Sequence, residues 1–169
     1  MASAGEPLVL NERPAALLWD GRRLPGPWLT HRAVDAAIGR ARTYGTATVV
    51  IRRSHHIACL AAYLRRATEE GMALLLACSD PNTASVAPFG GTRAVFTPEP
   101  IAIGFPTAGD PVLVDVSASI TTNGMCNRLR AEGRRFAHPW LLSAAGNATD
   151  DPAALAAEPP GTILPLGGL

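Results

Sequence analysis

Five segments between Thr48 and Ser119 decide the fold: TVVIRRSHHIACLAAYL (Thr48–Leu64), LLLACSD (Leu74–Asp80), SVAPFGG (Ser85–Gly91), PIAIGFP (Pro100–Pro106) and VLVDVSAS (Val112–Ser119). The β-branched run Ala47–Arg52 predicts a buried strand, and the Ser-His-His turn after it predicts a helix start. Ser54 is placed to cap a helix from His56 to about Glu70. On it Leu60, Ala61, Leu64 and Ala67 would face the sheet, and Arg65, Arg66, Glu69 and Glu70 the solvent. Gly71 would end that helix before a second buried strand, Met72–Cys78. Strand, helix and strand in this order predict a parallel pair with a right-handed crossover. Beyond it, Ala94–Thr97, Ile101–Phe105 and Val112–Val116 read as short strands between Pro and Gly-Asp turns. Ser117 or Ser119 would cap a helix reaching Glu132, with Gly133 after it.

Toward the N-terminus, Leu8–Leu10 reads as a short strand and AALLWD as a strand ending in the Asp20-Gly21 turn. Thr30 is a candidate cap for a helix whose apolar residues, Ala33, Val34, Ala37, Ile38 and Ala41, recur at one-face spacing. Gly45 suits its C-terminal stop. Toward the C-terminus, Trp140–Leu142 reads as a strand, Asp151-Pro152 as a short helical turn, and PPGTILPLGGL as loop. The architecture these elements predict is a single α/β domain over residues 1–169. It is layered, with a mixed β-sheet flanked by helices, because short Pro- and Gly-punctuated strands suit antiparallel pairing better than a doubly wound sheet.

The 169 residues carry a formal net charge of +1, which gives no electrostatic case for nucleic acid or an acidic membrane. All 15 basic residues are arginine, so Schiff-base chemistry has no lysine in this chain. The three cysteines, Cys59, Cys78 and Cys126, are odd in number and widely spaced, fitting neither a disulfide framework nor a zinc motif. They are expected to be reduced, buried thiols of a cytoplasmic protein. No apolar run reaches membrane-spanning length, and the N-terminus lacks the apolar core of a secretory signal.

Three groups of residues can carry chemistry. His55 and His56 put imidazoles at a strand-to-helix junction. A helix N-terminus there would favour the neutral ring, which can accept a proton from an alcohol. Pro88-Phe89-Gly90-Gly91 is a turn whose glycines let backbone N–H groups approach a ligand. Asp115 ends an apolar strand and precedes Ser117 and Ser119, a cluster that can cap a helix or hydrogen-bond ribose hydroxyls. No metal site is indicated. GxGxxG, GxxxxGK[ST] and GxSxG are all absent, so dinucleotide binding of the Rossmann kind, P-loop hydrolysis and α/β-hydrolase chemistry lack their signatures.

The ordered set R-R-S-H-H, V-A-P-F-G-G, P-I-A-I-G-F-P and V-D-V-S-A-S resembles the malate/L-lactate dehydrogenase family. That family also contains ureidoglycolate and sulfolactate dehydrogenases and cyclic imino-acid reductases, and is unrelated to the Rossmann-type lactate and malate dehydrogenases. The resemblance covers roughly residues 8–169. It implies a non-Rossmann NAD(P)-binding domain of an oxidoreductase. Hydride would pass between NAD or NADP and a small 2-hydroxy/2-oxo acid or cyclic imino acid. The family's Ser-x-His-Phe-Gly motif matches Ser54, His56, Ile57 and Ala58, making His56 the implied catalytic acid/base, while a Ser-His-Phe register would select His55. The family's cofactor-binding positions match Ser79 and Asp80, Pro88, Phe89, Gly90 and Gly91, and Asp115, Val116 and Ser117. Pro98-Glu99-Pro100-Ile101 departs from the family's Thr-Asn-Pro-Ile. The resemblance also implies a homodimer. Neither a Ser-His-Gly helical segment nor a Lys-Gly-Tyr-Gly-Leu helix occurs in the sequence, so the expectation is the central part of such an enzyme. A non-catalytic nucleotide-binding domain is the alternative.

Overall fold

The computed structural model describes residues 5–80 and 82–167. They form two compact units: residues up to Leu76 together with Ala102–Asp115, and Ala77–Ile101 together with the segment from Val116 onward.

The first unit opens with a hairpin, β1 (Leu8–Arg13) and β2 (Ala16–Asp20), paired antiparallel with an irregularity between Val9 and Asn11. Helix α1 (Gly26–Tyr44) follows, then β3 (Thr48–Arg52), which pairs parallel with β2. The sheet order β1-β2-β3 is therefore mixed, as the sequence predicts. The parallel β-α-β unit is β2-α1-β3, one element earlier than predicted. Pro27 suits the first turn of α1, where its missing N–H is not needed. Thr30 does not cap α1, because the helix begins four residues earlier. Its hydroxyl instead donates to the Gly26 carbonyl at 2.9 Å. Gly45 closes α1 in the left-handed conformation at φ 79°, as predicted. Leu17, Trp19 and Ala33 form one core cluster, with Val49 and Ile51 against it.

Helix α2 is short, Ala61–Thr68, instead of starting at His56. Ala58 has a positive φ of 61°, which breaks helical geometry just before the start. Ser54 caps nothing, since its Oγ donates to the neighbouring His55 carbonyl. Tyr63 and Ala67 of α2 join Val34 and Ile38 of α1 in a second cluster, with Met72, Leu74 and Leu76 packed against it. Leu29 and Leu64 are fully buried, and truncating either to Ala costs about 2–5 kcal/mol. Strand β4 (Leu74–Ala77) does not pair with β3. It heads a separate sheet, β4-β5-β6, with β5 (Ile101–Phe105) and β6 (Val112–Val116). β3 is therefore left as an edge strand of the first sheet, paired only with β2 among the described residues.

The second unit is built on a third sheet. β7 (Leu141–Leu142) is central, with β8 (Ala148–Thr149) and β9 (Thr162–Ile163) antiparallel on either side. β9 corrects the loop reading of PPGTILPLGGL: Ile163 is fully buried and bridges Val86 as well as β7. Gly161 precedes it where a Cβ would overlap the Leu142 carbonyl oxygen. The predicted strand Ala94–Thr97 is reduced to one bridge, Val86 to Phe96. Helix α3 (Asn123–Ala131) starts later than predicted, capped by Thr122, whose Oγ1 accepts the Met125 N–H at 3.1 Å. The Asp151-Pro152 turn forms as read: Asp151 accepts the Ala153 N–H at 2.9 Å and Pro152–Ala156 is a 3-10 turn. Val86, Cys126, Leu129, Phe136, Leu141 and Ile163 form this unit's core. Cys126 is buried as expected and Cys78 half-buried, but Cys59 is exposed.

Candidate active site

The segment Arg53–Leu60 carries both candidate histidines and has no regular structure, so contacts from elsewhere must hold it. Three do so. The His55 N–H donates to the Leu24 carbonyl at 3.4 Å. The Tyr63 hydroxyl donates to the Ile57 carbonyl. The backbone of Gly26, at the start of α1, lies so close that a Cβ there would overlap the carbonyl oxygens of both His55 and His56. Both imidazoles are exposed. The His56 ring is oriented by the Ala58 N–H, which donates to Nδ1 at 3.3 Å. Nδ1 is thereby an acceptor, so the neutral ring carries its proton on Nε2, the nitrogen left for a ligand. Helix α2 begins five residues after His56, so its N-terminus does not act on that ring.

The N-terminus of α2 is served instead by Asp115 from the end of β6. Its Oδ2 accepts the Ala61 N–H at 2.8 Å and a weak contact from the Cys59 thiol at 3.6 Å. Leu60 precedes α2 without a side-chain cap, so the carboxylate 54 residues downstream does that work. Asp115 and the segment leading from His56 into α2 are thus tied together.

Among the expected cofactor residues in the second unit, the side chains mostly shape their own turns. Ser79 Oγ donates to Glu99 at 3.1 Å. Asp80 accepts the Asn82 N–H at 3.0 Å. Gly91 N–H donates to the Pro88 carbonyl at 2.9 Å, Gly90 takes φ 73°, and Phe89 is 74% exposed at the tip of that turn. Ser117 does not cap α3: its Oγ donates to the Ser119 carbonyl at 3.0 Å and accepts the Ser119 N–H at 3.1 Å. Val116 is exposed. None of these residues lines a hollow of about 680 Å³ in this unit, which is walled by Ser85, Arg93, Asn123 and Thr162 among others.

Sequence reasoning missed Gly26 and Asp20. The signal for Gly26 was its place between Pro25 and Pro27, where a side chain is dispensable and close approach is possible. Asp20 was read only as a turn residue. It is buried, and its carboxyl is held below the ordinary carboxylate range, first by the Arg22 N–H at 2.9 Å and then by the charges of Arg53 and Arg52, against a raising effect of burial. No group of three or more His, Cys, Asp or Glu among the described residues could hold a metal ion, and no helix of the described residues is long and apolar enough to cross a membrane.

Known proteins match this chain along its whole length. It is 32% identical over 161 residues to a malate dehydrogenase of Pyrococcus abyssi, covering 95% of this chain and 43% of that protein. It is 31% identical over 163 residues to a delta(1)-pyrroline-2-carboxylate reductase of Ancylobacter novellus, covering 96% of this chain and 46% of the other. Its fold is similar to that of a malate dehydrogenase from Entamoeba histolytica, with TM-score 0.87 and 26% identity over 97% of this chain and 46% of that one. The chain therefore spans less than half the length of these relatives. The family model described as malate/L-lactate dehydrogenase matches residues 1–169. A mixed α/β chain with a Ser-His-His turn after its parallel strand, matched from end to end, belongs to the malate/L-lactate dehydrogenase family.

Proposed function

We propose that this chain is the nicotinamide-binding part of an NAD(P)-dependent oxidoreductase acting on a small 2-hydroxy/2-oxo acid or a cyclic imino acid. The observation that carries the reading is His56, an exposed imidazole on an irregular turn held by Gly26, Leu24 and Tyr63. Such external support is what a proton-transfer group needs to keep its geometry. The ring would offer Nε2–H to the oxygen or imine nitrogen of a substrate. Delivering that proton, or taking one from an alcohol, requires the ring to release the Ala58 contact, which at 3.3 Å is long and costs little to break.

The residues present fit a dinucleotide in chemical kind. Ser79 and Ser117 offer hydroxyls, Asp80 and Asp115 carboxylates suited to ribose, and Pro88, Gly90 and Gly91 a tight turn with an exposed aromatic, Phe89, at its tip. Val116 would contribute backbone groups between Asp115 and Ser117. A nicotinamide cofactor, NAD or NADP, supplies hydride transfer when bound. Asp115 has a double role in this reading, fixing the segment behind His56 while lying on the ribose side. We place the protein in the cytoplasm and read it as a homodimer. Leu75, Phe105, Val112 and Val114 leave an apolar face on the β4-β5-β6 sheet that a second copy would cover.

The test is turnover of the protein as its host expresses it, with pyruvate, oxaloacetate and a cyclic imino acid against NADH and NADPH. His56→Asn should lower kcat by about 10² to 10⁴, the scale for losing a general acid/base, with cofactor affinity little changed. His55→Asn should leave kcat within a few-fold. If the two variants exchange these outcomes, His55 is the catalytic histidine; if neither lowers kcat, the reading fails.

A further inference from the structure

The hollow of about 680 Å³ in the second unit has walls that other contacts hold in place. Ser85 is fixed twice through its backbone: its N–H donates to the Phe96 carbonyl at 3.0 Å, and its carbonyl accepts the Ile163 N–H at 2.8 Å. Thr162 belongs to β9 and Asn123 opens α3, so these two wall residues stand on regular elements. Leu155, Pro159 and Pro160 add apolar wall.

The polar groups that line the hollow favour one sign of charge. Arg93 lines it, and no Asp or Glu does among the described residues. The Arg93 guanidinium has no hydrogen-bond or ion-pair partner among the described residues. Asn123 Nδ2–H donates to Ser85 Oγ at 2.9 Å, which leaves the serine proton to be given to a guest. Helix α3 begins at Asn123, so the positive end of its dipole lies at that wall. Thr162 is 2% exposed, and its Oγ1 is buried with no hydrogen-bond partner among the described residues. Buried polar atoms are nearly always satisfied in folded proteins, and one left unmet in the wall of a hollow points to what the hollow takes in. Size narrows the guest further. A bare phosphate or sulfate would leave most of this space empty, whereas hollows of about 300–1,000 Å³ hold compact organic molecules.

We propose that this hollow is a binding site for an organic anion: a carboxylate or phosphate group held by Arg93, Ser85 and Asn123, carried on a compact apolar body that rests on Leu155, Pro159 and Pro160. Neither the histidines nor the residues expected to hold the nicotinamide cofactor line it. The site therefore stands apart from the assignment of proton transfer to His56. Guanidinium suits the charged end, since its planar fork matches two oxygens of either group. An occupant would tie α3 and β9 to the Ser85 and Arg93 segments.

The experiment titrates the unmodified protein, by calorimetry, with two joined probes and two half probes. Benzoate and phenyl phosphate join an anion to an apolar ring. Inorganic phosphate has the charge alone and benzyl alcohol the ring without charge. The better joined probe should bind about 10-fold or more tighter than either half probe, and which of the two it is tells carboxylate from phosphate. Arg93→Gln should raise its Kd about 10-fold or more, the scale of a charge-assisted hydrogen bond, and Arg93→Lys should raise it less. Arg93 is exposed and outside every helix and strand, so neither substitution should move the urea midpoint. Saturating NADH or NADPH should leave the Kd of the probe unchanged. Half probes that bind as tightly as joined ones, no binding of any probe, or unchanged binding in Arg93→Gln would each overturn the proposal. Displacement of the probe by NADH, with NADH affinity weakened in Arg93→Gln, would overturn it as well by assigning the hollow to the cofactor. Turnover of a keto acid by a protein that binds no probe keeps the His56 reading and removes this site. Probe binding lost in Arg93→Gln keeps this site even where neither histidine variant alters turnover.

Discussion

The two units hold their candidate residues in different ways. In the first, the partners are distant in sequence: Asp115 with Ala61, Asp20 with Arg52 and Arg53, Gly26 with His55 and His56. In the second, Asp80 with Asn82, Pro88 with Gly91, and Ser117 with Ser119 lie two or three residues apart. Ser79 with Glu99 is the exception. A turn that carries its own hydrogen bonds survives substitution nearby. A turn fixed from elsewhere moves when its distant support moves, so the His56 segment can be displaced without touching a histidine.

Matched glycine substitutions should give the widest separation between the units. Gly26→Ala pushes a methyl into two backbone oxygens, and is expected to destabilise by about 1–3 kcal/mol or more and to lower kcat together with stability. Gly90→Ala meets no neighbour within 4 Å and costs only the left-handed penalty, about 1–2 kcal/mol. Urea titrations of both variants beside turnover measure this. Equal kcat losses would erase the distinction. Asp115→Ala is a smaller probe. Loss of the remote cap on α2 should cost about 0.5–2 kcal/mol, seen as a lower urea midpoint with unchanged slope. Asp115→Asn, which can still accept the Ala61 N–H, should recover part of it.

The smallest effect concerns pH. The folded carboxyl of Asp20 lies below its ordinary 3.8. Its contribution to stability is therefore fully present above the unfolded value and fades as pH falls below about 4 toward the folded value. Asp20→Asn should flatten the acid limb of a stability-against-pH curve. The second unit holds an opposite case: burial pushes the Cys126 thiol up to about 11. Its contribution is present below 9 and lost as pH rises toward 11, so Cys126→Ala should soften the alkaline limb. An acid limb unchanged in the Asn variant would show that Asp20 is not the anchor of its turn.

Local chemistry was legible in the sequence wherever one segment decides its own shape. The β-branched run at Thr48–Arg52, the Gly45 stop and the Asp151-Pro152 turn all form where the residues place them. What could not be read depends on remote partners. Helix α2 starts at Ala61 because Ala58 turns left-handed and Asp115 arrives from β6 to cap it, and neither fact is encoded near Ser54. β4 looked like the partner of β3, but it pairs instead with β5, a strand 24 residues further along the chain, and leaves β3 as an edge. Thr162–Ile163 are β-branched, but a run that short between Gly161 and Pro165 does not read as a strand. They become a strand because β7 and Val86 offer edges to pair with. The site divides the same way: the histidines and Asp115 stand out by residue type, and Gly26, packed against the histidine backbone, and Asp20, buried beside Arg52 and Arg53, do not.

The place of Ile163 has a consequence for how the protein emerges from the ribosome. Its bridge to Val86 joins positions 77 residues apart, and that pair lies at the centre of the second unit's core. Contacts of such long range close slowly, because the intervening chain must be ordered first. The hairpin β1-β2, α1 and β3 make their contacts within the first 52 residues and can assemble during translation. The second unit must wait until residue 163 has been released, with Val86, Leu129 and Phe136 exposed meanwhile, and during that interval the nascent chain is most open to chaperones and to aggregation.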